Sequence, residues 1–145
     1  MPELPEVETV RKGLEKLVTD FYIKKINVIK ERSIATNVGS RNFINNIEGS
    51  YFDGWNRRGK YLIGNLISRS KDKKGLLVVH LRMTGQFKFI NKKIPPCSHT
   101  RVRFFEEGDK ELRFIDIRNF GQMWYVPISK SVLEIVSGIK RTINS

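Results

Sequence analysis

The sequence is short of cysteine, of acidic side chains and of long apolar runs. Cys97 is the single cysteine among 145 residues, so neither a disulfide nor a multi-cysteine zinc site can form within the chain, and we interpret it as an incidental thiol. The longer apolar stretches, such as residues 76–81, fall far short of the ~20 residues that cross a bilayer. The start is acidic and contains proline, unlike a secretory signal. We therefore expect a cytoplasmic protein with no membrane partner.

The small acidic content leaves a large excess of positive charge. Lysine and arginine number 27 against 15 aspartates and glutamates, for a formal net charge of +12. Such an excess indicates a polyanionic partner, because each phosphate that a cation neutralises releases a condensed counterion. Nucleic acid is the leading candidate, although charge does not separate DNA from RNA. A generally basic, solvated surface is the alternative.

Helical spacing of apolar residues begins close to the start of the chain. Pro5 suits the first helical position, and Glu6 and Glu8 favour the same end through the helix dipole. We therefore predict a helix that begins just after residues 2–4 and holds the terminus against a rigid element. Its apolar stripe comprises Val7, Val10, Leu14, Leu17 and Val18.

Short runs of strand character fill most of the remaining chain, and its length suits one domain. A second helix is predicted near residues 131–136, and no repeat or linker divides the sequence. We expect an α+β, mostly β fold: an antiparallel β-sandwich or flattened barrel flanked by an N-terminal helix and a short C-terminal helix. The predicted strands are 22–29, 51–56, 61–67, 76–83, 87–90, 101–105, 112–117 and 123–126.

The first residues offer a nucleophile. Initiator methionine is normally removed before a small residue, and Pro2 would then present a secondary amine with a pKa of about 7.7 to 8.0. Attack on a sugar C1′ would give a cationic iminium that acidifies the C2′ hydrogen, so that elimination of the 3′ phosphate can follow. Glu3 is a candidate general acid for the ring oxygen. The alternative is a helix-capping segment with glutamates facing water, and a retained Met1 would abolish the amine.

Four segments, in order along the chain, carry a family resemblance. Residues 1–10 read MPELPEVETV, 56–62 read NRRGKYL, 80–85 read HLRMTG and 116–121 read DIRNFG. These segments resemble the formamidopyrimidine-DNA glycosylase and endonuclease VIII superfamily, and the first of them favours its formamidopyrimidine branch. Four ordered matches spread over about 120 residues make a specific signal.

The resemblance implies which residues act on the sugar and its phosphate. Pro2 would be the nucleophile and Glu3 the general acid. Lys60, in the second segment, would contact the phosphate beside the lesion and assist elimination. Without the resemblance, Lys60 would be interpreted as a solvated charge.

The resemblance also implies which residues hold the opened duplex, since a glycosylase must extrude a nucleotide and offset its lost stacking. Met83 would fill the gap left by the flipped nucleotide, Arg118 would pair with the orphaned base, and Phe120 would wedge into the stack. Taken alone, Met83 fits a core position equally well. The other implied DNA contacts are Glu6, His99 and Arg101, the last two within a shorter and weaker match.

The match covers nearly the whole chain but only about the first half of a family member. Residues 1–137 would be the N-terminal catalytic domain, and 138–145 a divergent tail. We expect the helix-two-turn-helix and zinc-finger domains to be absent, so this chain would carry no cofactor and no metal. The sequence does not distinguish an excised piece, a frameshifted gene and a genuinely shortened protein.

The resulting hypothesis is a base-excision repair enzyme: a DNA glycosylase and abasic-site lyase acting on 8-oxoguanine and formamidopyrimidines. Its partner would be duplex DNA containing oxidised purines or abasic sites, in a bacterial-type nucleoid. Loss of phosphate contacts should weaken DNA binding, and abasic cleavage should survive better than base excision. The alternatives are a non-catalytic DNA-binding module, a degenerate fragment of such an enzyme, and a basic RNA-binding protein. The sequence leaves the oligomeric state open, and we expect a monomer.

Overall fold

Residues 3–36 and 39–128 are described by the structure, which is a computed structural model. This part of the chain contains two α-helices and eight strands, with a short 3-10 turn at Glu31–Ser33. In chain order they are α1 (Leu4–Val18), β1 (Lys25–Val28), α2 (Arg41–Ile47), β2 (Tyr51–Arg58), β3 (Tyr61–Ile67), β4 (Lys73–His80), β5 (Gly85–Ile90), β6 (Thr100–Phe105), β7 (Glu111–Asp116) and β8 (Gln122–Pro127).

Helix α1 confirms the predicted N-terminal helix with two corrections. It begins at Leu4, so Pro5 occupies the second helical position, where a missing N–H is still tolerated. Val7, Leu14 and Val18 are buried as expected, whereas Leu17 is 52% exposed. Leu17 lies about 80° around the helix from the line of those three residues, beyond the stripe that the neighbouring strands cover.

The hydrogen-bond ladders form two four-stranded antiparallel sheets within the described residues. One has the order β1-β6-β7-β5 and the other β2-β3-β4-β8. Because the sheets stay separate, the sandwich prediction is confirmed and the flattened barrel is wrong. All eight predicted strands are present, but the fourth begins at Lys73 and ends at His80. Met83, predicted at the end of that strand, therefore lies in the turn that follows it.

Aromatic side chains fill the space between the sheets and under α1. Phe52 and Trp55 lie with ring centroids 4.8 Å apart, and Phe52 also meets Phe104 edge-on at 6.2 Å. A Cβ on Gly64 would lie 3.0 Å from the Trp55 ring, so a larger residue would force that ring to shift. The large rings make a rigid platform for the loops at the sheet edges.

Helix α2 was not predicted. It buries only Phe43 and Ile47 among its seven residues, too few for a helical pattern to stand out. The predicted helix at 131–136 lies outside the described residues. Within the described part, no helix combines the length and apolar character needed to span a membrane.

Candidate functional site

Three of the four motifs meet at one end of the sheet formed by β2, β3, β4 and β8, where β3 and β8 begin and β4 ends. This end is called the motif edge or, for short, the edge. Tyr61 at the start of β3 pairs with His80 at the end of β4, and His80 pairs in turn with the first residue of β8. Lys60 directly precedes β3, Met83 follows β4 by three residues, and Phe120 lies two residues before β8. Antiparallel pairing therefore gathers residues that are distant in sequence onto one edge.

Lys60 lies half-buried in the tight turn between β2 and β3. Gly59 in this turn has φ +58, a left-handed conformation that favours glycine. The Arg57 guanidinium donates to the Gly59 carbonyl at 3.0 Å. The turn is thus held by its own backbone conformation and by an arginine of β2.

A buried histidine lies beside this turn. The His80 side chain is 7% exposed, and its ring packs edge-on against Tyr61 with centroids 4.8 Å apart. Nδ1 accepts the Arg82 backbone N–H at 3.1 Å, so the neutral ring carries its proton on Nε2. Burial lowers the pKa of His80 to about 4, with further lowering from the Arg82 and Lys60 charges. At neutral pH His80 is an uncharged hydrogen-bond donor among cations.

The methionine loop, residues 81–84, joins β4 to β5 and exposes its apolar side chain. Met83 is 48% exposed, so its interpretation as a core residue is wrong. Arg82 has φ +60, and the Leu81 carbonyl accepts the Gly85 N–H at 2.9 Å, closing a tight turn. Leu81 and Gly85 at the two ends of this turn are buried, whereas Met83 within it is exposed to solvent.

The phenylalanine loop, residues 117–121, precedes β8. Phe120 is 41% exposed, and Arg118 is exposed beside it. The Arg118 backbone N–H donates to the Thr84 hydroxyl at 3.0 Å, which joins this loop to the methionine loop. Arg32 supports it from the other side: Nε donates to the Asn119 carbonyl at 2.9 Å, and Cζ lies 5.9 Å from the Phe120 ring centroid.

His99 and Arg101 flank the start of β6, next to the phenylalanine loop. The His99 carbonyl accepts the Asp116 N–H at 2.9 Å, and Arg101 Nε donates to the Asp116 carbonyl at 2.8 Å. Arg101 also reaches the Ser98 carbonyl at 3.4 Å. Most of the Arg101 guanidinium therefore serves the backbone of its own domain.

The start of α1 carries two of the predicted residues. Glu3 and Glu6 are both exposed, and the Glu3 N–H donates to the Glu6 carboxylate at 3.3 Å. Pro2 lies outside the described residues. Glu3, the residue that follows Pro2, is thus held at the first turn of a helix.

Glu8 ties this helix to the hairpin that carries Lys60. Its carboxylate accepts two hydrogen bonds from Arg11, both at 2.9 Å, and one from Arg57 Nε at 3.0 Å. These hydrogen bonds lower the pKa of Glu8 to about 2. Arg11 also donates to the Trp55 carbonyl at 3.1 Å. Nothing in the sequence distinguished Glu8 from the other glutamates of the helix, and its role depends on contacts 49 residues away in sequence.

The described residues offer no group of three or more His, Cys, Asp or Glu side chains arranged to hold a metal ion. The cysteine is exposed, and its thiol lies 3.4 Å from the Thr100 hydroxyl.

Solved structures of other proteins share this arrangement of strands. The two-sheet fold is similar to Lactococcus lactis Fpg in a crystal structure with abasic-site DNA, with TM-score 0.82 and 29% identity over 94% of this chain and 48% of that one. It is similar to MutM in complex with DNA containing carbocyclic 8-oxo-G, with TM-score 0.82, 29% identity and 49% of that chain covered. On its fold and its exposed loops, the chain therefore belongs to the class of DNA glycosylase N-terminal domains.

The sequence identifies the family within this class. The family model of the formamidopyrimidine-DNA glycosylase N-terminal domain matches residues 1–123, and the chain belongs to this family. It is 71% identical to formamidopyrimidine-DNA glycosylase of Prochlorococcus marinus strain NATL1A over 141 residues, and 55% identical to that of strain MIT 9211 over 144 residues. The chain spans about half the length of these relatives: 97% of it aligns with 50% of each.

Proposed function

We propose that this chain forms the lesion-facing part of a base-excision repair enzyme that removes oxidised purines from duplex DNA and cleaves the abasic site. The observation that carries the proposal is the register of β3, β4 and β8, which brings Lys60, Met83 and Phe120 to one basic edge. The names of the Prochlorococcus relatives and the lesion-containing DNA in the solved structures support it. Such an enzyme would work in the cytoplasm on nucleoid DNA.

Opening the duplex is the first step that the exposed loops explain. Extruding a nucleotide loses stacking, which an apolar side chain inserted in its place offsets. Met83 and Phe120 are two large apolar side chains, each exposed on one of two loops that a hydrogen bond joins. Arg118, exposed on the phenylalanine loop, offers several N–H donors to a base that has lost its partner. We assign these three residues to the opened duplex.

Two side chains, one in the β2–β3 turn and one at the end of β4, could bind the phosphate beside the extruded sugar. The Lys60 ammonium supplies charge, and the nearby His80 supplies an N–H that stays uncharged at neutral pH. A neutral donor keeps its hydrogen bond without adding to the repulsion among Lys60, Arg82 and Arg57. We therefore add His80 to the residues implied by the resemblance. His99, Arg101 and Glu6 are assigned to outer DNA contacts.

The chemistry belongs to Pro2 and Glu3. The Pro2 nitrogen bonds to C1′ while the bond from C1′ to the base nitrogen breaks, and the proton that the amine loses balances the one that the departing base takes up. The nitrogen lone pair then forms the C1′=N bond as the bond from C1′ to the ring oxygen breaks, and Glu3 protonates that oxygen. The resulting iminium draws electrons from the C2′–H bond. The C2′ proton leaves, a C1′–C2′ double bond forms within the enamine and the C3′–O bond then breaks, releasing the 3′ phosphate. Hydrolysis of the remaining iminium returns the free amine.

We propose that residues 1–137 form the catalytic domain and that residues 138–145 form a divergent tail. Because each missing phosphate contact lowers affinity, we expect the 145-residue polypeptide tested by itself, which spans about half the length of the relatives, to bind DNA weakly. An abasic site already exposes its sugar and needs no base extrusion. Cleavage at abasic sites should therefore exceed excision of 8-oxoguanine.

A strand-cleavage assay tests the proposal. We would compare abasic-site and 8-oxoguanine duplexes as substrates for the chain and for Lys60→Ala, with Lys71→Ala as control, because Lys71 lies in the β3–β4 turn at the opposite end of the sheet. We expect Lys60→Ala to slow abasic cleavage at least tenfold and to lower the salt-dependence slope of binding by about one, whereas Lys71→Ala changes neither. Equal rates for both lysine variants would overturn the assignment of this edge.

A further inference from the structure

We propose that Asp116 is a positioning residue for Met83 and Phe120, which are called the DNA wedges below. Its buried carboxylate holds the methionine loop and the phenylalanine loop at a fixed separation. The inference rests on the proposed function, because it matters only if Met83 and Phe120 enter DNA. Asp116 itself is fully buried, with 0% exposure, and does not face the solvent edge. It therefore acts through its neighbours and not by contact with DNA.

The carboxylate of Asp116 reaches both loops. Oδ1 accepts the Thr84 hydroxyl at 2.5 Å, and Oδ2 accepts the Gly121 N–H at 2.7 Å. Thr84 directly follows Met83, and Gly121 directly follows Phe120. One carboxylate thus holds the residue next to each wedge, and the two wedges become parts of one unit.

Thr84 extends this link by a relay. A carboxylate only accepts hydrogen bonds, so the single Thr84 proton points to Asp116 and the lone pairs of Thr84 remain free. Those lone pairs accept the Arg118 N–H at 3.0 Å. Asp116 therefore also orients the backbone of the residue assigned to the orphaned base.

The backbone of Asp116 connects the third DNA-facing segment. Its N–H donates to the His99 carbonyl at 2.9 Å, and its carbonyl accepts Arg101 Nε at 2.8 Å. All four polar groups of Asp116 are therefore used, each for a different partner residue. A buried charge that served packing alone would be costly, since an apolar residue of similar volume fills a core without desolvation.

The packing around the carboxylate leaves no slack. A Cβ on Gly121 would lie 2.9 Å from Asp116 Oδ2 and 2.7 Å from the Phe114 ring, and a Cβ on Gly85 would lie 2.5 Å from the Leu81 carbonyl. Both loops also contain a non-glycine residue at positive φ, namely Arg82 and Asn119. Because these conformations are disfavoured when unsupported, the loops need a fixed anchor to keep the wedges ready.

The test uses the 145-residue chain and two pairs of variants. Thr84→Val removes the hydroxyl at nearly constant shape, and Thr84→Ser retains it as the matched control. Asp116→Asn keeps the volume, so the core stays filled, but its amide presents N–H groups where Oδ1 accepted the Thr84 proton. Asp116→Ala is the stronger change and is used only if it melts cooperatively.

Three readouts separate positioning from stability. Hydrogen exchange of the Arg118 and Gly121 amides reports the link without DNA, with the amides of β3 and β4 as internal references. The ratio of affinities for a duplex with a tetrahydrofuran abasic analogue and for the undamaged duplex reports wedge insertion. Fluorescence of 2-aminopurine opposite that analogue reports unstacking. A merely structural role would change melting temperature without moving the ratio or the fluorescence.

We expect Thr84→Val and Asp116→Asn to speed exchange at Arg118, with β3 and β4 unchanged. We also expect them to lower the affinity ratio roughly tenfold and reduce the fluorescence rise, while Thr84→Ser keeps wild-type values. Unchanged ratios and fluorescence in the two variants would overturn the inference alone, provided that the wild type prefers the abasic duplex. A wild type without that preference would overturn the proposed function and this inference together.

Discussion

Oε1 of Glu8 lies 3.0 Å from Nε of Arg57, and this ion pair joins helix α1 to the end of β2. The helix begins next to Pro2 and Glu3, and β2 leads into the turn that carries Lys60. The pair therefore links the proposed nucleophile and general acid to the proposed phosphate contact. Two further polar contacts join the same helix and strand: Arg11 donates to the Trp55 carbonyl at 3.1 Å, and the Trp55 N–H donates to the Glu15 carboxylate at 2.6 Å.

Replacing Glu8 by Gln should lower the melting temperature at neutral pH. It should also slow abasic cleavage at temperatures where the variant is still folded. Because the folded-state pKa of Glu8 is about 2 and the usual value is 4.5, its stabilisation is present above pH 4.5 and lost as pH falls towards 2. The melting temperatures of wild type and variant should therefore converge near pH 2.

Thermal melts from about pH 2 to neutral pH check this, with Glu107→Gln as control. Glu107 forms a more exposed ion pair with Lys24 at 3.5 Å, so its loss should be nearly silent. Parallel pH curves for wild type and Glu8→Gln would contradict the role given to this carboxylate.

His80 should make the fold sensitive to mild acid. Its folded-state pKa is about 4 against a usual 6.5, so the unfolded chain takes up the proton first as pH falls. The full stability holds above pH 6.5 and declines between 6.5 and 4, by on the order of 3 kcal/mol. A His80→Phe variant keeps an edge-on ring against Tyr61 but should lose this slope. Urea unfolding at about pH 7, 5.5 and 4 measures how the free energy of unfolding depends on pH. The same pH dependence in wild type and His80→Phe would refute the assignment.

Phe120→Ala should separate function from stability. Because the Phe120 ring is 41% exposed, its truncation should cost less than about 1 kcal/mol of unfolding free energy. It should nevertheless reduce preference for the abasic duplex. Phe114→Ala, at a fully buried ring of β7, should cost about 3 to 5 kcal/mol. Denaturant unfolding and duplex competition give both values. Preserved lesion preference in Phe120→Ala would exclude it as a wedge.

Gly121→Ala should disturb the phenylalanine loop. The added Cβ would lie 2.7 Å from the Phe114 ring, and such overpacking costs about 1 to 3 kcal/mol. Gly13→Ala is the matched control, because nothing lies within 4 Å of its added Cβ in α1. That change should stabilise the fold by about 0.5 to 1 kcal/mol through helix propensity. Chemical unfolding distinguishes them, and two changes of the same sign would show that Gly121 does not pack as closely on Phe114 as described.

The strands and the first helix could be predicted because their apolar residues repeat at periods that few other structures share. Helix α2 could not, since only Phe43 and Ile47 are fully buried and Ile44 packs half-buried against the core, which makes a short and weak helical pattern. The end of β4 was also misplaced, because the apolar Leu81 and Met83 continue the pattern of the strand into a turn. Local pattern does not reveal where the hydrogen-bond ladder stops.

The exposed site residues were predictable only through their motifs, and the residues that hold them were not. Glu8 and Asp116 act through partners far away in sequence, so neither spacing nor composition marks them. Asp116 begins one of the four motifs, yet its burial and its two loop contacts became visible only in the folded chain. Side chains that position a site require the tertiary structure to be recognised.

Mass spectrometry of the chain after borohydride reduction with abasic-site DNA tests the central claim most directly. Reduction converts the proposed iminium into a stable amine, so the chain with a free Pro2 amine should gain the mass of the DNA strand. A form that retains Met1 should gain nothing, because its Pro2 nitrogen is part of an amide. An adduct of equal yield from both forms, or no adduct from a folded chain with Met1 removed, would contradict Pro2 as the nucleophile.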